Sequence, residues 1–429
     1  MSFRHRSRLA DVVETEDPLR TRMRRVGSLR SSRTVVPAVT VAVVLATTSA
    51  VAMASTGPEA DGAPTLAWDA TRTVPNPDTW RSAELSMLGR TPAGRTPNGV
   101  ATEPAISFDS RAARYVAYTS TATNIAKPVT PGRRNVFLVA RTGRITADGN
   151  AWAIGATRLL SVGRGGVAAD GDSWGAALSG YSTGKDRAVG PRLVAFLSTA
   201  TNLVAGSGGG TTGAYVGSVR GGRLQRIDAP GEANGVALAG NSSVVAVTTS
   251  RGLYVRRAGK VRRLVGGSAR SPSVTDNGAQ VAYEKGGRIY LVTVRGGKRR
   301  RIARGTEPRA DAGAPSGRGR GNVRAVSYRR GRTVRRAEIV GSRVRTRSYG
   351  RGVSPRINAG GSGVAFGSGP DVRLRVNLLG SGRAGGYARP QGTCTDGTAV
   401  TGVAVSARYN YVAFTCAGGA LLMHHVGGR

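Results

Sequence analysis

Histidine is almost missing from this chain: three occur in 429 residues. His5 lies in a segment expected to be removed. His424 and His425 are neighbours in a terminal strand, where adjacent side chains point to opposite faces. A Ser-His-Asp arrangement needs an imidazole steadied by a carboxylate, and no Gly-x-Ser-x-Gly stands in an α/β context. No catalytic residue is assigned, and an enzyme is not expected. No further His or unpaired Cys would complete a metal's coordination sphere, so neither a metal nor another cofactor is expected. Aromatic residues make up only 5% of the chain, so its cores must be filled mainly by Val, Ala, Leu and Ile. Acidic residues are scarce beside basic ones, 24 against 63, and only five of the 63 are Lys.

What is abundant is glycine, 63 residues, as a chain of many tight turns requires. One phrase recurs seven times: a short strand, usually Val-Ala-aromatic, with a Gly- or Asn-rich turn before it. The copies are Val116-Ala117-Tyr118, Val194-Ala195-Phe196, Val245-Ala246-Val247, Val281-Ala282-Tyr283, Val326-Ser327-Tyr328, Val364-Ala365-Phe366 and Val412-Ala413-Phe414, spaced by 78, 51, 36, 45, 38 and 48 positions. Repeats of this length, rich in short strands, predict an all-β, seven-bladed β-propeller with four-stranded antiparallel blades. Six blades is the alternative if the Arg-rich unit at 307–352 is an insertion. The clearest blade has strands at 271–274, 280–284, 288–294 and 299–303. Asp276-Asn277-Gly278 forms its first turn, where a positive φ is needed. Residues 82–89 read as an isolated fourth strand, and the last repeat has only three. The N-terminal strand is therefore predicted to complete the last blade and close the ring, removing exposed edges.

Residues 1–54 read as a signal region. The uncharged core is 35–54, preceded by Arg24, Arg25, Arg30 and Arg33 and ending in the Ala52-Met53-Ala54 cleavage pattern. Residues 1–22 read as an upstream extension from a misplaced start. Export is expected, to the cell envelope or beyond, with an uncleaved N-terminal transmembrane anchor as the alternative. Residues 55–80, with four prolines, read as a linker, and 81–429 as the propeller. Two cysteines in an exported chain should pair, which makes Cys394 and Cys416 a disulfide.

The repeats resemble those of TolB-like β-propellers. Pro272-Ser273-Val274, Asp276-Asn277-Gly278 and Val281-Ala282-Tyr283 are similar to that family's Pro-x-Ser-x-Asp-Gly…Val-Ala-Phe repeat. The Ser-Thr-Ala-Thr-Asn segments at 198–202 and 120–124 are similar to one in its secreted bacterial members, and residues 157–163 resemble their fourth strand. The likeness covers about residues 82–429. Secreted members often carry an acidic loop able to hold a cation. The matching loops here, 127–134 and 205–213, contain no carboxylate, so no calcium site is carried over.

The formal charge of +39 invites an anionic partner. The densest basic stretch is 295–351, with 19 basic and three acidic residues. Its candidate anion-binding residues are Lys298, Arg299, Arg300 and Arg301, with Arg318 and Arg320 in a Gly-Arg loop. Two blander readings stand beside this one. A GC-rich genome raises Arg, Ala, Gly and Val together, and alternating Arg side chains decorate the solvent face of outer strands. Nucleic acid is disfavoured as a partner, because basic residues are not interleaved with aromatics and export removes the chain from the cytosol. Two functions remain open. One is a monomeric, non-catalytic binding or scaffold propeller contacting a protein or an anionic envelope polymer or lipid. The other is a sensor or accessory protein binding a small ligand or glycan in the channel. The inner-strand candidates Ser107, Ser273 and Arg356 are mixed and aromatic-poor, which favours the first.

Overall fold

The computed structural model describes residues 71–74, 83–108, 113–141, 154–182, 188–206, 210–313, 322–376, 387–407 and 411–425. The signal region lies outside them. The described chain folds into seven antiparallel blade sheets, six of four strands and one of five, plus a small two-stranded hairpin. The innermost strands of blades 1 to 7 are Ala101–Ile106, Ser173–Leu178, Ala233–Leu238, Arg270–Val274, Thr306–Ala310, Val353–Ile357 and Val400–Val405. The Arg-rich unit is a full blade, blade 5, of Thr306–Ala310, Ala325–Arg330, Thr333–Val340 and Arg343–Arg351, which removes the six-bladed alternative.

Blade 7 takes three strands from the C-terminal end, Val400–Val405, Tyr411–Cys416 and Leu421–His425. Its fourth strand, Ala83–Met87, comes from the other end of the chain and pairs Glu84 with His425 and Met87 with Leu422. The ring is thus closed as the unpaired N-terminal strand implied. A fifth strand, Thr71–Val74, adds to that edge from within the stretch read as linker. It is short and lacks hydrophobic alternation, and only the open edge of Ala83–Met87 gives it hydrogen-bond partners.

The recurring phrase is the second strand of each blade, and its composition follows from where it sits. Val116 and Tyr118 pack with Ala404, Ala413 and Met423 of blade 7, whereas Ala117 packs with Val194 of blade 2. Ala195 meets Val245 and Val247, Ala282 meets Val326 and Tyr328, and Ala365 meets Val412 and Phe414 in the same way. The first and third residues fill the gap towards one neighbouring blade. The alanine between them leaves room for the equivalent pair from the other. Tyr118, Phe196, Tyr283, Tyr328, Phe366 and Phe414 are all fully buried, so six of the scarce aromatic residues do the same job.

Cys394 and Cys416 form a disulfide, with Cα atoms 5.8 Å apart. Cys394 follows the outer strand of blade 6, Tyr387–Thr393, and Cys416 ends the second strand of blade 7. The bond therefore staples the closing blade to its neighbour. The chain-entropy account gives a loop of this size about 3 kcal/mol. The double variant Cys394→Ser/Cys416→Ser is expected to lose about that much in urea unfolding of the oxidised protein. An unchanged midpoint would show that closure does not depend on the bond.

Candidate anion site in the central channel

The register of the blades places one residue per blade at the same point of the channel wall. In each blade it is the innermost-strand partner of the middle residue of the Val-Ala-aromatic phrase. Ala105 pairs Ala117, Ala177 pairs Ala195, Ala237 pairs Ala246, Ser273 pairs Ala282, Arg309 pairs Ser327, Arg356 pairs Ala365 and Ala404 pairs Ala413. All seven line one cavity of about 210 Å³. Five are small and neutral. The other two, Arg309 and Arg356, come from adjacent blades 5 and 6. Every innermost strand carries a bulge, directly before this position in five blades and further from it, towards the strand's start, in blades 3 and 7, a device that re-aims a side chain. In four blades the bulge holds Glu103, Ser271, Glu307 or Ser354 at positive φ, each directly before a proline.

The two guanidinium groups have little to hold. Arg309 Nη1 donates to the carbonyls of Pro308 at 3.2 Å and Pro272 at 3.4 Å, and Arg356 Nη1 to that of Pro355 at 3.5 Å. These are long, weak contacts for groups with five donors each. Among the described residues, neither lies in an ion pair. The nearby carboxylates favour the two charges from a distance but place their contacts elsewhere: Glu307 is 2.7 Å from Arg329 Nη2, and Glu103 accepts from Thr119 Oγ1 and Gly175 N. Burial, and then the charge of Arg309, push Arg356 down to about 9, and burial pushes Arg309 down as well. Arginine keeps its charge at neutral pH, and the charge of Arg309 makes that of Arg356 costlier to keep.

One end of the chamber is drawn together by a belt of backbone bonds between successive blades. Gly180 N donates to Gly240 O, Asn241 N to Asp276 O, Asp276 N to Ala312 O, Ala312 N to Ala359 O and Ala359 N to Ala407 O, at 2.8–3.2 Å. Phe108 of blade 1 packs against Ala312, Ala359 and Ala407 at this end. The residue before the belt is polar in six blades, and it caps the turn into the second strand. Ser107, Ser179, Thr275, Asp311, Asn358 and Ser406 each accept from backbone N–H groups there. Asp311 accepts three, from Gly313, Arg324 and Ala325. Its role is a turn cap, filled by a carboxylate where the other blades use a hydroxyl or amide.

The basic residues singled out in the sequence scatter. Lys298 and Arg301 are exposed on the edge of blade 4. Arg299 stacks on Tyr290, 5.1 Å from the ring centroid. Arg300 donates to Gly341 O at 2.8 Å and Ser342 O at 2.7 Å, in the turn after the third strand of blade 5. The equivalent Arg158 and Arg262 grip the same turn of blades 2 and 4, through Val219 O and Arg220 O and through Val294 O. Part of the arginine excess is therefore a clamp between blades. Arg318 and Arg320 lie outside the described residues. Ser107 is a turn cap, Ser273 and Arg356 line the chamber, and Arg309 was missed. The sequence did contain a signal for the pair: Pro308-Arg309 and Pro355-Arg356 occupy the slot that Pro104-Ala105 and Pro272-Ser273 fill elsewhere. Cys394, Asp396 and Cys416 also cluster, but both sulfurs are used in the disulfide.

No family model matches the chain, and no curated protein matches it. Among the described residues, no helix is long and apolar enough to cross a membrane.

Burial pushes the Asp311 carboxyl up to about 6, against 3.8 ordinarily, although its three N–H partners oppose that rise. The folded state then holds the proton more tightly than the unfolded chain. Stability is expected to fall as pH rises from about 4 to about 6, by on the order of 2–3 kcal/mol for this group. Asp311→Asn keeps an accepting oxygen, as Asn358 does in blade 6, and should flatten that part of the stability-against-pH curve. An identical slope in the variant, measured by denaturant unfolding at fixed pH steps, would assign the effect to another group.

Proposed function

We propose that this protein is an exported, non-catalytic binding propeller that captures a small oxyanion group, carboxylate or phosphate, between Arg309 and Arg356. The observation that carries the reading is the pair itself: two half-buried guanidinium groups from adjacent blades, without ion partners among the described residues, at a ring position that is small and neutral in the other five blades. Keeping such charges away from bulk water is costly unless they are paired. A bound oxyanion pairs both. The planar fork of arginine suits bidentate contact with a carboxylate or phosphate. The surrounding Ala105, Ala177, Ala237, Ser273 and Ala404 leave the volume that the anion needs. The chain's large positive charge raises the local concentration of anions and speeds their arrival.

Other features support the rest of the reading. The leader-like segment at 35–54 and the disulfide fit an oxidising compartment outside the cytosol. The repeat resemblance to secreted TolB-like propellers points the same way. The outer basic face supports a contact with an envelope polymer less well, since Arg299 and Arg300 are occupied and Lys298 and Arg301 stand free of such roles only at the blade edge.

Isothermal titration with inorganic phosphate and with butyrate tests the reading. One site per chain is expected. Arg309→Ala and Arg356→Ala should each weaken it about 10- to 100-fold, as loss of a charge-assisted hydrogen bond does, while Arg301→Ala leaves it unchanged. Equal binding by the wild type and the Arg309→Ala/Arg356→Ala double variant would overturn the assignment.

A further inference from the structure

The channel chamber contains a second unusual group. At the belt, the position occupied by Phe108, Gly180, Gly240, Ala312, Ala359 and Ala407 in the other blades is Asp276 in blade 4. Its backbone belongs to the belt. Its side chain lines the same cavity as Arg309 and Arg356. Among the described residues the Asp276 carboxyl has no hydrogen-bond partner, in contrast to Asp311 with three. Gly240 lies against it: a Cβ there would stand 2.8 Å from Asp276 Oδ1, and as close to Gly180 O and Tyr181 Cβ. Burial, and then Asp311, push the Asp276 carboxyl well above the usual carboxylate range. A half-buried carboxyl that faces a chamber without a donor is less well satisfied than one in water. In a binding chamber the missing donor can come from the occupant.

The two features are of opposite character and sit at different levels of one chamber. Asp276 lies three positions beyond the ring residue Ser273, in the turn that follows its strand. At about 3.3 Å per residue that is on the order of 10 Å along the backbone, shortened in practice by the reach of the arginine side chains. A simple anion held by the arginines leaves Asp276 unsatisfied and, when ionised, repelled. A molecule with a donor at its other end satisfies both ends. The chamber, at about 210 Å³, lies below the usual range for drug-sized ligands, so the occupant is small.

Resting on the preceding assignment of the arginine pair, we propose that the ligand is a small dipolar acid, with its anionic group between Arg309 and Arg356 and a hydroxyl or ammonium donor at Asp276. Ligands lacking that donor are discriminated against by the carboxyl they leave unpaired.

The test compares butyrate, 4-hydroxybutyrate and 4-aminobutyrate by isothermal titration against the full chain. These probes share a carboxylate and differ at the far end. The wild type should favour 4-aminobutyrate over butyrate by about tenfold or more, with 4-hydroxybutyrate between them. Asp276→Asn should lower the affinity for 4-aminobutyrate towards that of butyrate and leave butyrate bound as well as before, or better. Equal wild-type affinity for butyrate and 4-aminobutyrate would overturn the dipolar ligand while leaving the arginine site standing. Binding of all three that is unaffected by Arg309→Ala/Arg356→Ala, or no binding of any, would overturn both. The wild-type comparison needs no variant, so it decides the matter even if Asp276→Asn fails to fold.

Discussion

The fit between a large–small–large strand and the alanine of the next blade is the contact on which this ring depends. Val-x-aromatic pairs push into the gap between sheets, and Ala117, Ala195, Ala246, Ala282, Ala365 and Ala413 leave space for them. Each blade is incomplete alone, because one face of its second strand is filled only by a neighbour. Closure is therefore a condition for every contact rather than a finishing touch. The chain secures it with Ala83–Met87 in blade 7 and with a disulfide between the last two blades. The arginine clamps at Arg158, Arg262 and Arg300 repeat the blade-to-blade logic near the rim, with backbone carbonyls as acceptors.

The channel wall inherits the same periodicity, so departures from it are easy to interpret. A ring position that must only avoid its neighbours is small, as in five blades. Two adjacent arginines there repel each other, and Glu307 and Glu103 offset that only from a distance. An aspartate in a belt otherwise made of Gly, Ala and one Phe is the same kind of exception. Residues that break a local rule without a structural return mark the place where function is expected. Asp311 shows the contrast. It too is buried and perturbed, yet its oxygens are occupied by the turn it caps, and five other blades cap the same turn with shorter or neutral side chains.

Most of the architecture was legible because it is written in repeats. The Val-Ala-aromatic phrase appears seven times, and the strand at 82–89 had no partner before it in the chain. The fifth strand at Thr71–Val74 was not legible, since its pairing depends on an edge created 350 residues later in the chain. The chamber was only half legible. Arg356 was visible as an inner-strand residue, but its significance depends on Arg309 standing beside it across a blade boundary. Alternation along one strand says nothing of the neighbour in the next sheet. Local density of charge drew attention instead to Lys298, Arg299, Arg300 and Arg301, where pairing within and between blades accounts for Arg299 and Arg300.

Arginines kept for a ligand and not for the fold should be removable without loss of stability. The most direct measurement is the melting temperature of the ligand-free Arg309→Ala/Arg356→Ala protein, in which all but one of the seven ring positions carry alanine. Removing two half-buried, mutually repelling charges that hold no ion pair should leave the melting temperature unchanged or raise it, as substitutions in functional sites that relieve strain do. A clear fall would mean that the arginines hold the ring together, and the channel would then no longer be the place to look for this protein's function.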